Sequence, residues 1–210
     1  MDKEREDRFK GLDARNALIE AGVELIAERG YDGASVGDIT QLAQVSKGAF
    51  YYHFESKEEF VLMTIKERAE KNTERFRQLI EANSSVSQWI ENSFSIIIGF
   101  PAADPIWPQF SAEVMVAGMR PGHSRIGKEF AAIHEQWRSL LIEMIKNSNE
   151  YEEGLICCEP DVIAVAIMSL VDGFLMHLQL EEGFFTSERF GERLAPLLKL
   201  WVAPAEEALG

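Results

Sequence analysis

Ser35-Val-Gly-Asp-Ile-Thr-Gln-Leu-Ala-Gln-Val-Ser-Lys-Gly-Ala-Phe-Tyr-Tyr-His-Phe-Glu-Ser-Lys-Glu-Glu-Phe60 decides how this chain of 210 residues is read. Ser35 with Asp38 has the spacing of a capping box and opens a short helix. Val36, Ile39, Leu42 and Ala43 fall on one face of it. Ser46 caps a second short helix, Lys47 to His53. Ser56-Lys57-Glu58-Glu59 is another capping box and opens a long third helix. Two short helices around a brief turn form the helix-turn-helix pattern, whose second helix enters the DNA major groove.

Outward from there, Asp13 caps an amphipathic helix carrying Ala14, Leu18, Ala21 and Leu25. Gly30 ends it where a left-handed residue is wanted. Residues 1–11 read as a polar lead. The helix from Lys57 runs through Phe60, Ile65, Ala69, Phe76 and Ile80 to about Asn83. It is long enough to join an N-terminal unit to a second body. The domain boundary therefore falls on this helix. Residues 1–56 form a helix-turn-helix domain, ordered from about residue 12, and 57–210 a helical second domain.

The second domain reads as helices throughout. One spans Val86 to Ile98. Another starts with Asp104 as cap and Pro105 at the first helical position, and stops at Pro121-Gly122. A third covers about Ser124 to Lys146. Asn147 to Gly154 reads as an acidic loop. Pro160 starts a helix apolar nearly all round, which predicts burial on every face. Ser187 caps a last helix to about residue 202. No period-two strand pattern appears, so the fold class is all-α, with about nine helices.

Net charge is −14, which argues against a nucleic-acid partner at first sight. Residues 1–60 carry 8 basic and 13 acidic side chains, so the excess is not confined to the second domain. The local field differs. From Ala43 to Phe54 there is Lys47, one histidine and no acid, with Lys57 just beyond. Phosphate contact then rests on few charges, hydroxyls and helix N-termini. No apolar run has the length of a membrane span. The charged N-terminus does not read as a signal peptide. Cys157 and Cys158 are adjacent and poorly placed for a bridge, so a reduced, cytoplasmic protein with two small buried thiols is expected. His123, His134 and His177 lack metal-ligand spacing, and no metal or cofactor is expected. No nucleophile elbow, P-loop or dinucleotide glycine motif occurs, so an enzyme is not expected.

Residues 12–60 resemble the DNA-binding domain of the TetR family of transcriptional regulators. The resemblance runs through Ala14-Arg15, Glu28-Arg29-Gly30-Tyr31, Ser35-Val36, Asp38-Ile39, Ala43, Val45-Ser46-Lys47-Gly48, Tyr52-His53-Phe54 and Ser56-Lys57-Glu58. It implies a homodimer whose recognition helices sit in successive major grooves of a near-palindromic operator. By analogy Ser46, Lys47, Gly48 and Tyr51 approach bases or the adjoining backbone, and Ser35, Tyr52, His53 and Lys57 hold phosphates. Phe50 and Phe54 read as core, and Tyr52 as partly core. The chain departs from the pattern at Gln44, where the family usually has glycine. If that position needs φ > 0, glutamine costs about 1 kcal/mol there. Ala49 leaves a small base-facing surface, so specificity leans on few side chains and on DNA shape.

The resemblance gives the second domain two tasks, dimerisation and binding of a small effector. The last two helices are the expected dimer surface, through Ala164, Ile167, Met168, Val171, Phe174 and Leu175 on one, and Leu194, Leu197, Leu198 and Trp201 on the other. A pocket for an apolar or aromatic effector is expected around Trp89, Phe94, Trp107, Phe110, Met115 and Trp137, with His134 or His177 as polar handles. The same residue types also build plain core. Two functions compete: a repressor released by a small apolar ligand, or a DNA-bound dimer answering to a protein partner without one.

Overall fold

Four local hydrogen bonds start the N-terminal helices. Asn16 N donates to the Asp13 carboxylate at 2.9 Å, Asp38 N to Ser35 Oγ at 3.1 Å, Ala49 N to Ser46 Oγ at 3.1 Å, and Glu59 N to Ser56 Oγ at 3.1 Å. The computed structural model describes residues 12–82, 85, 86, 89, 106–156 and 158–180. Among these there are eight α-helices and no strand: α1 Ala14–Gly33, α2 Val36–Leu42, α3 Lys47–His53, α4 Lys57–Glu81, α5 Trp107–Gly118, α6 Ser124–Lys146, α7 Asn149–Glu152 and α8 Pro160–Leu180. Gly30 breaks α1 with φ 74°, as its place in the sequence suggested. The expected helices at 86–98 and 187–202 lie outside the described residues, apart from Val86 and Trp89.

Three local expectations change. Asp104 and Pro105 lie outside the described residues, but α5 begins at Trp107, with Ile106 at its cap and no capping side chain. Pro108 fills the first turn instead, where a missing N–H costs nothing. The acidic loop contains the short helix α7, because Ser148 Oγ accepts from Tyr151 N at 3.3 Å. Cys158 is exposed, so it is not the buried small residue expected.

The chain divides into two compact units, Met1–Ala69 with Pro105–Ala131, and Glu70–Asp104 with Ala132–Gly210. The first surrounds a core of Leu18, Ile26, Ile39, Phe50, Phe54 and Phe60, all 2% exposed or less. Phe110 and Val114 of α5 and Ile126 of α6 complete it, and α1 packs against α5. The helix-turn-helix therefore shares its core with residues from far along the chain. The second unit gathers Val86, Trp89, Leu141, Ile145, Ile163, Ala164 and Ile167. In it Trp137 Nε1 donates to Thr73 Oγ1 at 2.8 Å, and Trp89 meets Phe76 edge-on at 5.4 Å.

The capping box at α2 makes a testable acid-sensitive joint. Hydrogen bonds from the Ser35 side chain, then its backbone, hold the Asp38 carboxyl below the ordinary aspartate value of 3.8. The charged form is favoured in the fold, so its contribution is complete above that value and is lost as pH falls through the lower folded one. An NMR pH titration should place the Asp38 midpoint below 3.8, with fraying of α2 on protonation. A midpoint at or above the ordinary value would contradict this.

Candidate nucleic-acid interface

Helix α3, the second helix of the helix-turn-helix, is packed on one side and exposed on the other. Phe50 is fully buried and lies 5.4 Å from the Phe54 ring and 6.0 Å from Phe60. Phe54 and Phe60 meet edge-on at 5.0 Å. Three aromatic rings thus hold the inner face, a geometry that adds to simple burial. Ser46, Lys47 and Gly48 are exposed on the outer face, with Tyr51 at 58% and Tyr52 at 85%. Tyr52 is therefore a surface residue, not part of the core. Its ring leans on His53 at 4.9 Å, and His53 is half-buried. The Lys47 ammonium lies 3.5 Å from where a Cβ on Gly37 would sit, so it reaches over the first turn of α2.

Two of the residues assigned to phosphates are engaged internally. Lys57 Nζ donates to Tyr31 O at 2.7 Å and Ala34 O at 2.8 Å, and sits 4.3 Å from the Tyr31 ring centre. Burial lowers its pKa, opposed by the Asp32 charge. It braces the turn between α1 and α2, with one N–H left to donate. Ser35 Oγ bonds to the Asp38 carboxylate within the capping box.

The acidic balance has a local answer. Arg120 Nη1 lies 2.8 Å from Asp32, and His123 Nε2 lies 3.6 Å from it. Arg125 bridges Glu58 at 3.1 Å and Glu59 at 3.2 Å. Such exposed pairs add little stability. They do offset the charges of Asp32, at the end of α1, and of Glu58 and Glu59, at the start of α4, and sequence separations of 66 to 88 left no local sign of them.

Sequence reasoning did not single out the turn itself as an exposed surface. Gln44 has φ 57° and is exposed, as is Gln41. The left-handed conformation expected of a glycine is thus kept with a glutamine in it, a conformation costing about 1–2 kcal/mol for a residue with a side chain. The departure from the family pattern was the available signal.

The residues expected to line an effector pocket are not brought together in one unit. Phe110 is core of the first unit, and Trp107 packs against that core; Met115, on α5, belongs to the same unit. Trp89, His134, Trp137 and His177 belong to the second, where the His134 and Trp137 rings stack at 6.1 Å. Phe94 lies outside the described residues. An open cleft of about 290 Å³ in the second unit is lined instead by Ile80, Leu140 and Met144 with Arg77, Glu143 and Asn147 among its walls.

The expected dimer residues also separate. Ala164 and Ile167 are buried in the second unit's own core, and Met168 packs against it. Val171 is half-buried. The side chains of Phe174 and Leu175, and residues 194, 197, 198 and 201, lie outside the described set. The apolar surface of α8 that stays open is a different stripe: Val162 at 57%, Val165 at 47% and Met176 at 51%, with Ser169 exposed between them. Among the described residues, the all-round apolar pattern of this helix is therefore buried on one side and open on the other.

Residues 18–63 match the family described as bacterial regulatory proteins, tetR family. The chain is 29% identical over 169 residues to the HTH-type transcriptional repressor DhaR of Mycobacterium sp. strain GP1, covering 80% of this chain and 83% of that protein. Its fold resembles the fatty acid degradation regulator FadR from Bacillus halodurans, with TM-score 0.76, 19% identity and coverage of 90% and 96%. It also resembles Bacillus subtilis FadR solved in complex with stearoyl-CoA, with TM-score 0.72, 19% identity and coverage of 87% and 96%.

Proposed function

The chain belongs to the TetR family of bacterial transcriptional regulators and is not an enzyme; from that premise we propose that it is a repressor, bound as a homodimer to a near-palindromic operator and released by a small apolar or aromatic effector. The observation that carries the DNA assignment is the two-sided recognition helix. Phe50 and Phe54 lock its inner face, while Ser46, Lys47, Gly48 and Tyr51 stand outward. In this reading those four meet base edges or the adjoining backbone. Gly48 lets the main chain come close to the duplex, and Lys47 donates to guanine or phosphate. Tyr52 and His53 meet the flanking phosphates. Ser35 and Lys57 order the helix starts there, Lys57 through its bonds to the Tyr31 and Ala34 carbonyls. Residues 1–56 read the DNA, and 57–210 carry dimerisation and effector binding.

Selection of bound fragments from genomic DNA tests this. The expected result is one motif with two inverted half-sites about 10–10.5 base pairs apart or a multiple of that. Fragments enriched without a common motif would overturn the operator assignment.

For the dimer, the open stripe Val162, Val165, Ser169 and Met176 at helical spacing supports α8 as an interface helix. Val165→Asp should raise the dimer dissociation constant tenfold or more in analytical ultracentrifugation, since a buried unpaired charge is costly. A dimer unchanged by it would place the interface elsewhere. For the effector, support comes from the second unit's interior. The Asn72 carboxamide oxygen and the Trp89 indole N–H are buried there without a protein partner among the described residues. Such unpartnered buried groups are candidate polar anchors for a ligand. A ligand that binds should raise the melting midpoint and weaken DNA binding together, because it favours one of two dimer geometries.

A further inference from the structure

Gln44 is the one non-glycine residue with positive φ among the described residues. The backbone around it is pinned. Val45 N donates to Thr40 O at 3.0 Å and Gln44 N to Gln41 O at 3.3 Å, while Ala43 is buried. The residue cannot return to negative φ without breaking that turn. Glycine would satisfy the same backbone without strain. The glutamine side chain gives the fold nothing visible in return: it is exposed and makes no hydrogen bond among the described residues. Backbone outliers of this kind are held by their surroundings and cluster at functional sites, which points to a use for the side chain beyond the fold.

The surroundings indicate which contact. Lys47 is the single lysine or arginine between Ala43 and Phe54. The next cation, Lys57, spends two donors on Tyr31 and Ala34 carbonyls. Asp38 adds negative charge near the start of α2. An interface so short of cations depends on neutral donors for its phosphate contacts, and amide side chains are among the groups that make them. Gln44 lies two residues before the Ser46 cap, on the flank of the exposed Lys47 and Gly48.

We propose that Gln44 is a phosphate-gripping residue, held outward by its left-handed turn so that its carboxamide donates to the operator backbone beside the recognition helix. This rests on α3 being the recognition helix. Lacking charge, the contact strengthens binding without releasing an extra counterion, so it adds affinity and leaves the salt dependence alone.

The test uses the full-length protein and the operator obtained by selection, with binding read by fluorescence anisotropy over a salt series and stability by thermal denaturation. Gln44→Gly should raise the melting midpoint by about 2–4 °C and weaken binding about 3- to 10-fold. Gln44→Ala should weaken binding by a similar factor with no gain in stability. Both losses should be uniform across operators carrying single base-pair changes, at unchanged salt slope. Lys47→Ala, run in parallel, should lower that slope by about one. Wild-type affinity in Gln44→Ala, or a loss confined to one base pair, would overturn the proposal while leaving α3 in place. Wild-type affinity in Lys47→Ala would remove the recognition-helix assignment, and the proposal with it.

Discussion

Replacing Lys47 and Tyr51 together by alanine should lower operator affinity by about 100-fold or more while the protein remains folded. Each contact of this kind contributes about 1–3 kcal/mol of discrimination, and 1.4 kcal/mol is a factor of ten. Lys47 is exposed and Tyr51 is 58% exposed, so neither is held by the core. Tyr51 does meet Phe50 edge-on at 5.4 Å, and such pairs are worth about 0.5–1.5 kcal/mol. Tyr51→Phe separates the two roles, since it keeps the ring pair and removes the hydroxyl. Loss of binding with unchanged helical circular dichroism is the expected result. Undiminished binding in a gel shift would sink the assignment of α3. Phe50→Ala is no substitute for this test, because emptying that fully buried site would damage the whole unit.

What the sequence revealed and what it hid differ in range. The caps at Asp13, Ser35, Ser46 and Ser56 were legible because each acts on an amide three residues ahead. The break at Gly30 and the burial of Phe50 and Phe54 were legible for the same local reason. Lys57 was not, because its carbonyl partners lie 26 and 23 residues back and no pattern announces them. The charge problem had the same origin. Asp32, Glu58 and Glu59 look like unrelieved repulsion until Arg120 and Arg125 are placed beside them. Phe110 looked like pocket lining because an aromatic at helical spacing reads alike wherever its helix packs; it is core beside α1. On α8 the apolar pattern led to the expectation of burial on every face, yet Val162, Val165 and Met176 are exposed. It could not separate Ala164, covered within the chain, from Val165, which is open.

Gly127→Ala should destabilise the protein by about 1–3 kcal/mol or more, out of proportion to one methyl group. A Cβ on Gly127 would sit 2.5 Å from the Gly118 carbonyl oxygen, and one on Gly118 would sit 2.8 Å from Gly127 N. Both obstacles are backbone, so no rotamer change relieves them and α5 and α6 must move apart. These helices supply Phe110, Val114 and Ile126 to the core under the helix-turn-helix. The turn between them places Arg120 beside Asp32, and α6 places Arg125 beside Glu58 and Glu59 at the start of α4. Spreading α5 and α6 should therefore loosen the DNA-binding unit as well as lower the urea midpoint, with faster amide exchange in α1 and α4 as the local sign. Gly37→Ala is the contrasting case. Its Cβ would meet neighbours only at 3.4–3.5 Å, ordinary contact, and alanine in a helix is favoured over glycine by about 0.5–1 kcal/mol. The same substitution should thus be neutral or stabilising in α2 and costly in α6. Equal stability of the two variants would mean that α5 and α6 do not cross at backbone distance.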